Sequence, residues 1–159
     1  MADRNDLVFV EGGGTRQESV ANGLAVVESE SVVVHDAARP FASGKTIPEL
    51  IQALVRFDGA ITAIRVSETI KDVEGERVLM TVDRSRLWRA QTPQAFRTAR
   101  LRAAHLRAVE HDIQATDDAQ LVEAYGGAVG VVEGSHTNIK LTVPEDFALA
   151  EAMIAGGLV

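Results

Sequence analysis

No cysteine occurs among the 159 residues. That excludes a disulfide scaffold, a cysteine nucleophile and any thiolate metal site. Long apolar runs are also missing. None approaches the roughly 20 residues that a membrane helix needs, and the opening residues, Met1 to Asp6, are polar and carry no secretory pattern. A cytoplasmic protein with no membrane partner is the expectation. Basic charge is short as well: 16 Lys and Arg stand against 23 Asp and Glu, a formal net charge of −7. Proteins that hold nucleic acid through its phosphates usually present a basic face, so no nucleic-acid partner is expected. A small phosphorylated ligand needs only a local cluster of cations. Lysine is the scarcest cation, present only as Lys45, Lys71 and Lys140. The remainder is arginine, which favours planar, bidentate contacts to carboxylate or phosphate.

The rest of the composition is that of an ordinary globular chain, 46% hydrophobic and 25% charged. Residues 1–159 fit a single domain, with enough core to fold without a disulfide or a structural metal. No repeat, low-complexity tract or linker divides the chain. Strand-like and helix-like segments alternate. Leu7 to Val10 reads as a strand entering the loop Gly12-Gly13-Gly14, and Gln17 to Glu28 as a helix with Val20, Leu24 and Val27 at helical spacing. Ser31 to His35 carries Val32-Val33-Val34 and reads as a buried strand. Ser43 is placed to cap a helix from about Lys45 to Phe57. Ala60 to Val66 is a further strand. Thr69 to Val73 and Arg77 to Val82, joined at Glu74-Gly75-Glu76, form a hairpin signal, and a hairpin that is marginal alone must lean on something, such as a second subunit. Leu87 to Gln91 reads as a short strand and Arg97 to His111 as a helix. Thr116 is placed to cap the next helix, and Ala128 to Val132 and Asn138 to Leu141 read as strands. Thr142 and Glu145 match a capping box, with Pro144 in the first turn of a last helix that ends near Ala155. The alternation predicts a layered α/β domain with a mainly parallel sheet.

Two phosphate motifs fail on inspection. Gly44-Lys45-Thr46 resembles the end of a P-loop, but the glycine required five residues earlier is Arg39. Gly12-Gly13-Gly14 begins like a dinucleotide fingerprint, but its third glycine falls at Gln17. The four histidines do not suggest a metal site: His105 and His111 are on different faces of one helix, while His35 ends a strand and His136 lies in a loop. Asp36 is more informative. It follows an apolar strand at its C-terminal end, where open α/β sheets bind ligands. Arg39 shares its loop, held extended by Pro40. The pair is either a ligand site or a loop salt bridge. Lys140 alternates with Ile139 and Leu141, so it points either to solvent or into a cleft.

Taken together, the motifs resemble one family. Arg16 to Val20 with Asn22-Gly23-Leu24, His35-Asp36-Ala37-Ala38-Arg39-Pro40-Phe41, and Thr69-Ile70-Lys71 are similar to segments of the 2-C-methyl-D-erythritol 4-phosphate cytidylyltransferases. So are Asp83 to Trp88, Gln91 to Phe96, Thr116 to Ala119, and Glu133 through Asn138-Ile139-Lys140-Leu141-Thr142 to Asp146. Each motif is weak alone, but they run in the family's order over essentially the whole chain. The resemblance implies transfer of a cytidylyl group from CTP to methylerythritol phosphate, with release of pyrophosphate, in non-mevalonate isoprenoid synthesis. It implies a Rossmann-like nucleotidyltransferase sheet, of the nucleotide-diphospho-sugar transferase type, with a projecting β-hairpin arm at residues 67–86 that makes a homodimer. It further implies that Lys140, Asp36 and Arg84 are catalytic, that Asp36 also faces Mg²⁺, and that Arg39, Thr69, Thr92 and Thr116 hold the polyol phosphate. Thr69 and Arg84 would reach the substrate of the neighbouring subunit. Gly13, Ser19 and Ala37 would lie by the nucleotide. The family's first strand, and its glycine-rich loop with an arginine and a lysine for the triphosphate, have no counterpart here. The expectation is therefore an N-terminally truncated family domain. Three alternatives stand beside this reading: a ribitol 5-phosphate type of cytidylyltransferase, a chain that only binds sugar phosphate or dimerises, and a parent fused to the cyclodiphosphate synthase of the same pathway.

Overall fold

The computed structural model describes residues 7–159. Eleven elements follow one another: α1 (Arg16–Ala25), β1 (Ser31–Val34), α2 (Thr46–Ala53), β2 (Gly59–Arg65), β3 (Ile70–Glu74), β4 (Arg77–Val82), β5 (Trp88–Arg97), α3 (Thr98–Glu110), α4 (Asp118–Ala124), β6 (Val129–Glu133) and α5 (Pro144–Ala155). Four strands make the main sheet in the order β1-β5-β2-β6, and β3 and β4 pair separately as a hairpin. Helices cover both faces. On one face Leu24, Phe96, Leu101, Ala108, Leu121 and Val122 form a core between α1, α3, α4 and the sheet. On the other, Leu50 and Leu54 of the α2 region pack on Ala60, Ala95 and Val132. Consecutive strand residues point to opposite faces, which is why Ala95 and Phe96 serve different cores. The architecture is the expected α/β sandwich of layers.

Three strands, β1, β2 and β6, point the same way, as a mainly parallel sheet requires. The pairings differ from that expectation. β5 runs between β1 and β2 and is antiparallel to both, so only β2 and β6 pair in parallel. The hairpin accounts for this, because the chain leaves β2, makes the arm and returns alongside it. β5 is also longer than the short strand expected, and runs on through Thr92-Pro93 to Arg97.

Two expected strands are absent. Leu7 to Val10 is irregular and exposed, with Phe9 93% accessible. It pairs with none of the strands among the described residues, and propensity alone does not make a strand. Asn138 to Leu141 is a loop. Its alternation is real, but its backbone bonds a neighbouring loop, with Leu141 N–H donating to Ala38 O at 2.8 Å. Three caps also shift. Asp117, rather than Thr116, caps α4 by accepting from Gln120 N–H. Ser43 Oγ accepts from Lys45 N–H, ahead of α2. At α5 the carboxylate that accepts from the Thr142 and Val143 N–H groups belongs to Asp146, not Glu145.

The hairpin forms as its sequence predicts, with Gly75 at φ 57° in the turn. Its apolar residues Val73, Val78, Leu79 and Met80 stay exposed.

Candidate functional site

β1 ends at Val34 and delivers His35 and Asp36 to the end of the sheet. β5 runs antiparallel beside it with Val34 opposite Gln94, and the same register carried two residues further sets Thr92 across from Asp36. Asp36 N–H donates to Thr92 Oγ1 at 3.0 Å. The loop then turns on itself, Arg39 N–H donating to Asp36 O at 2.9 Å.

The loop after β6 completes the site. Arg39 donates through Nη1 to Asn138 O at 2.8 Å, and Asn138 Nδ2 donates to Thr92 O at 2.9 Å. Gln91 Nε2 donates to Ser135 O at 2.8 Å. A glycine is needed beside that amide, because a Cβ on Gly134 would lie 2.2 Å from Gln91 Oε1. These bonds lock the loop against the sheet end and bring Lys140 Nζ to 2.9 Å from Asp36 Oδ2. The cleft orientation of Lys140 is therefore the one adopted. Arg39, in contrast, does not pair with Asp36, so the loop salt bridge considered from sequence does not form.

Asp36 has a second cation. Arg16 Nε lies 3.1 Å from Asp36 Oδ1, and Arg16 Nη1 lies 2.8 Å from Oδ2 of Asp118. Asp118 is 1% exposed and also meets His105 Nε2 at 3.0 Å. A continuous polar chain thus runs His105–Asp118–Arg16–Asp36–Lys140. Partial burial alone would raise the Asp36 carboxyl, but hydrogen bonds from Lys140 and Arg16 outweigh it and hold the group below the ordinary aspartate range. Burial lowers Arg39, Asp36 opposes that effect, and the nearby Arg89 adds to it.

Around these groups lies an open cavity of about 220 Å³, lined among others by Arg16, Asp36, Arg39, Thr92, Thr116 and Lys140. Its charged lining consists of Arg16, Arg39 and Lys140 against Asp36 and Asp117, which is net positive by one. This suits a small anionic ligand.

Five of the expected site residues lie elsewhere. Gly13 N–H donates to Ser19 Oγ at 3.0 Å, just before and within α1. A Cβ on Gly13 would fall 2.2 Å from Glu18 Cβ, so only glycine fits. Ala37 is exposed in the loop after β1. Thr69 and Arg84 stand exposed at the base of the arm, where Arg84 Nη1 donates to Ser67 O. None of the five lines the cavity. Conversely, sequence reasoning gave no role to Arg16, Asp118, Gln91, Asn138 or His105. One signal was available for Arg16. It opens a helix, the end where the dipole disfavours a cation, so a carboxylate partner had to be holding it.

No group of three or more His, Cys, Asp or Glu that could hold a metal occurs among the described residues. Asp36 and Asp117 are the two carboxylates that line the cavity. Magnesium is usually held by one or two carboxylates together with substrate phosphates rather than by an all-protein cage, and that donor set fits. No helix among the described residues is long and apolar enough to cross a membrane.

Comparison with known proteins converges on one family. A family model for "2-C-methyl-D-erythritol 4-phosphate cytidylyltransferase" (IspD) matches residues 1–156. A curated protein of that name from Geobacillus thermodenitrificans is 48% identical over 153 residues, covering 96% of this chain and 67% of the relative. Its counterpart in Bacillus velezensis is also 48% identical, over 95% of this chain and 66% of the relative. The crystal structure of the Thermus thermophilus cytidylyltransferase superposes with a TM-score of 0.85 at 44% identity, covering 92% of this chain and 72% of that one. The chain spans about two thirds of the length of the curated relatives it matches.

Proposed function

The chain belongs to the 2-C-methyl-D-erythritol 4-phosphate cytidylyltransferase family, and on that premise we propose that it carries the polyol-phosphate half of an active site that transfers the cytidylyl group from CTP to methylerythritol phosphate. In that reaction a phosphate oxygen of the polyol phosphate attacks the α-phosphorus of CTP. The new P–O bond forms as the bond to the β-phosphate breaks, and pyrophosphate leaves. The attacking group is already an anion, so no strong general base is required. Catalysis then depends on positioning and on cations set where negative charge develops.

The observation that carries this reading is the Asp36–Lys140 contact at 2.9 Å, made at the sheet end inside a net-positive cavity of about 220 Å³. Lys140 is held by Asp36 with part of its side chain open, so its ammonium is preset for a phosphoryl oxygen. Arg39 and the Thr92 and Thr116 hydroxyls line the same space and suit a polyol phosphate. Mg²⁺ belongs to the proposal too: Asp36 would face it, and bound to the triphosphate it would offset phosphate charge. Thr69 and Arg84 are assigned to the cavity of a partner subunit through a homodimer built on the hairpin. A cytoplasmic location goes with this biosynthetic role.

The test is steady-state pyrophosphate release by the chain joined to the amino-terminal part of the Geobacillus thermodenitrificans relative. Turnover needs CTP, methylerythritol phosphate and Mg²⁺ together. Lys140→Ala lowers kcat/KM by about 10²–10³. A Lys140→Ala protein with unchanged turnover would remove Lys140 from the reaction.

A further inference from the structure

We propose that His35 is a positioning residue for the polyol-phosphate side of the cavity, acting through Thr92 and Arg39; the inference rests on the cytidylyltransferase reading above. Both ring nitrogens are committed. Nε2 lies 3.0 Å from Arg39 O. A carbonyl oxygen only accepts, so Nε2 carries the hydrogen. In the neutral ring Nδ1 is then an acceptor, and Thr92 Oγ1, 2.9 Å away, supplies its O–H. The same Thr92 oxygen accepts Asp36 N–H at 3.0 Å. A hydroxyl that is otherwise a free rotor is thus fixed by two partners from consecutive residues. One acceptor position remains on that oxygen, and Thr92 lines the cavity.

At the other end of the ring, the bond to Arg39 O closes the loop that presents Arg39. The Arg39 side chain is then aimed at Asn138 O, 2.8 Å away. One imidazole therefore sets the register between two residues that face the substrate space. His35 does not line that space itself. It is exposed and belongs to neither hydrophobic core, so stability alone does not explain why both nitrogens are used. An aliphatic residue there would leave the Thr92 hydroxyl free to rotate and the Arg39 carbonyl without its donor.

The experiment is calorimetric titration of methylerythritol phosphate into the 159-residue chain and its variants, with thermal unfolding of each. His35→Ala weakens binding about 3- to 10-fold, the range expected for loss of hydrogen bonds of ordinary strength, with the unfolding temperature nearly unchanged. His35→Asn keeps a polar group near Nδ1 and recovers most of the affinity. His35→Gln keeps a donor near Nε2 and recovers less. Thr92→Val weakens binding by itself, and the losses in the His35→Ala/Thr92→Val double variant are less than additive, because the two changes share the His35–Thr92 interaction. Unchanged affinity in His35→Ala, additive losses, or recovery by His35→Gln but not His35→Asn each overturns the role given to His35. Should His35→Ala unfold, the His35→Asn and Thr92→Val arms still decide. Failure of the unaltered chain to bind the polyol phosphate sinks both this inference and the functional reading. Binding that is indifferent to His35 sinks only the inference.

Discussion

The ammonium of Lys140 sits 2.9 Å from Oδ2 of Asp36, joining the loop after β6 to the loop after β1. Neither residue is fully withdrawn from water: the side chains are 42% and 15% exposed. Such a pair adds little stability on its own. Its value lies in aiming a cation into a cavity that also holds Arg16 and Arg39. Replacing Lys140 by methionine is therefore expected to change the free energy of unfolding by under about 1 kcal/mol while reducing affinity for methylerythritol phosphate at least tenfold. Urea unfolding and calorimetry on the same preparations separate the two effects. A large stability loss with intact binding would make the contact structural.

Arg16 should behave in the opposite way. Its removal leaves Asp118, 1% exposed, with the His105 imidazole as its remaining side-chain partner. Stranding a buried charge typically costs about 3–5 kcal/mol. Arg16 is itself one-third exposed, so Arg16→Ala is expected to cost less than that range, at about 2–3 kcal/mol. Arg100, paired with Asp58 but 65% exposed, is the control, and Arg100→Ala should cost less than about 1 kcal/mol. Equal losses in urea unfolding would mean that the Arg16–Asp118 pair is no more buried in effect than the surface one.

The pH dependence has a definite sign. The Asp36 carboxyl titrates lower in the folded chain than in the unfolded one. Its contribution is therefore fully present above the unfolded aspartate value of about 3.9 and is lost as pH falls through the folded value. Wild type should be more stable than Asp36→Asn at neutral pH, and the gap should close below about pH 4. Asp146 is lowered as well, by backbone hydrogen bonds from Thr142 and Val143 and by the Thr142 hydroxyl, but it is common to both proteins and cancels. A gap that stays constant down to about pH 2 would show that Asp36 owes nothing to its charge.

The exposed apolar residues of the hairpin, Val73, Val78, Leu79 and Met80, bear on assembly. A two-stranded ribbon with such a surface is marginal alone in water. Light scattering should report a dimer for the chain and a monomer once residues 70–82 are replaced by a short Gly-Ser loop. A dimer that survives the replacement would place the interface on another face.

What could be read from sequence was whatever local pattern controls. Val32-Val33-Val34 is β-branched and alternates between two cores, so β1 was legible. Gly75 between two β-like runs marked the hairpin to within a residue at each strand. The Asp36 loop was legible because it ends an apolar strand. The failures share a cause. Asn138 to Leu141 has the period of a strand, yet Arg39 and Ala38, far away in sequence, take its backbone groups. Arg16 pairs with Asp36 and Asp118, and no spacing rule links three such distant positions. β5 passes antiparallel between parallel neighbours because the hairpin turns the chain back, which is a property of connection rather than of any residue in β5.

The most direct test of the account is phosphorus NMR of the products formed from CTP and methylerythritol phosphate with Mg²⁺, using the chain joined to the amino-terminal part of its Geobacillus thermodenitrificans relative. The account predicts equal growth of pyrophosphate and of a new diphosphate diester. Their initial rate should drop by about 10²–10³ in Lys140→Ala, and ribitol 5-phosphate should be a much poorer acceptor. Diester formation that proceeds unchanged without Lys140, or pyrophosphate released without any diester, would contradict it.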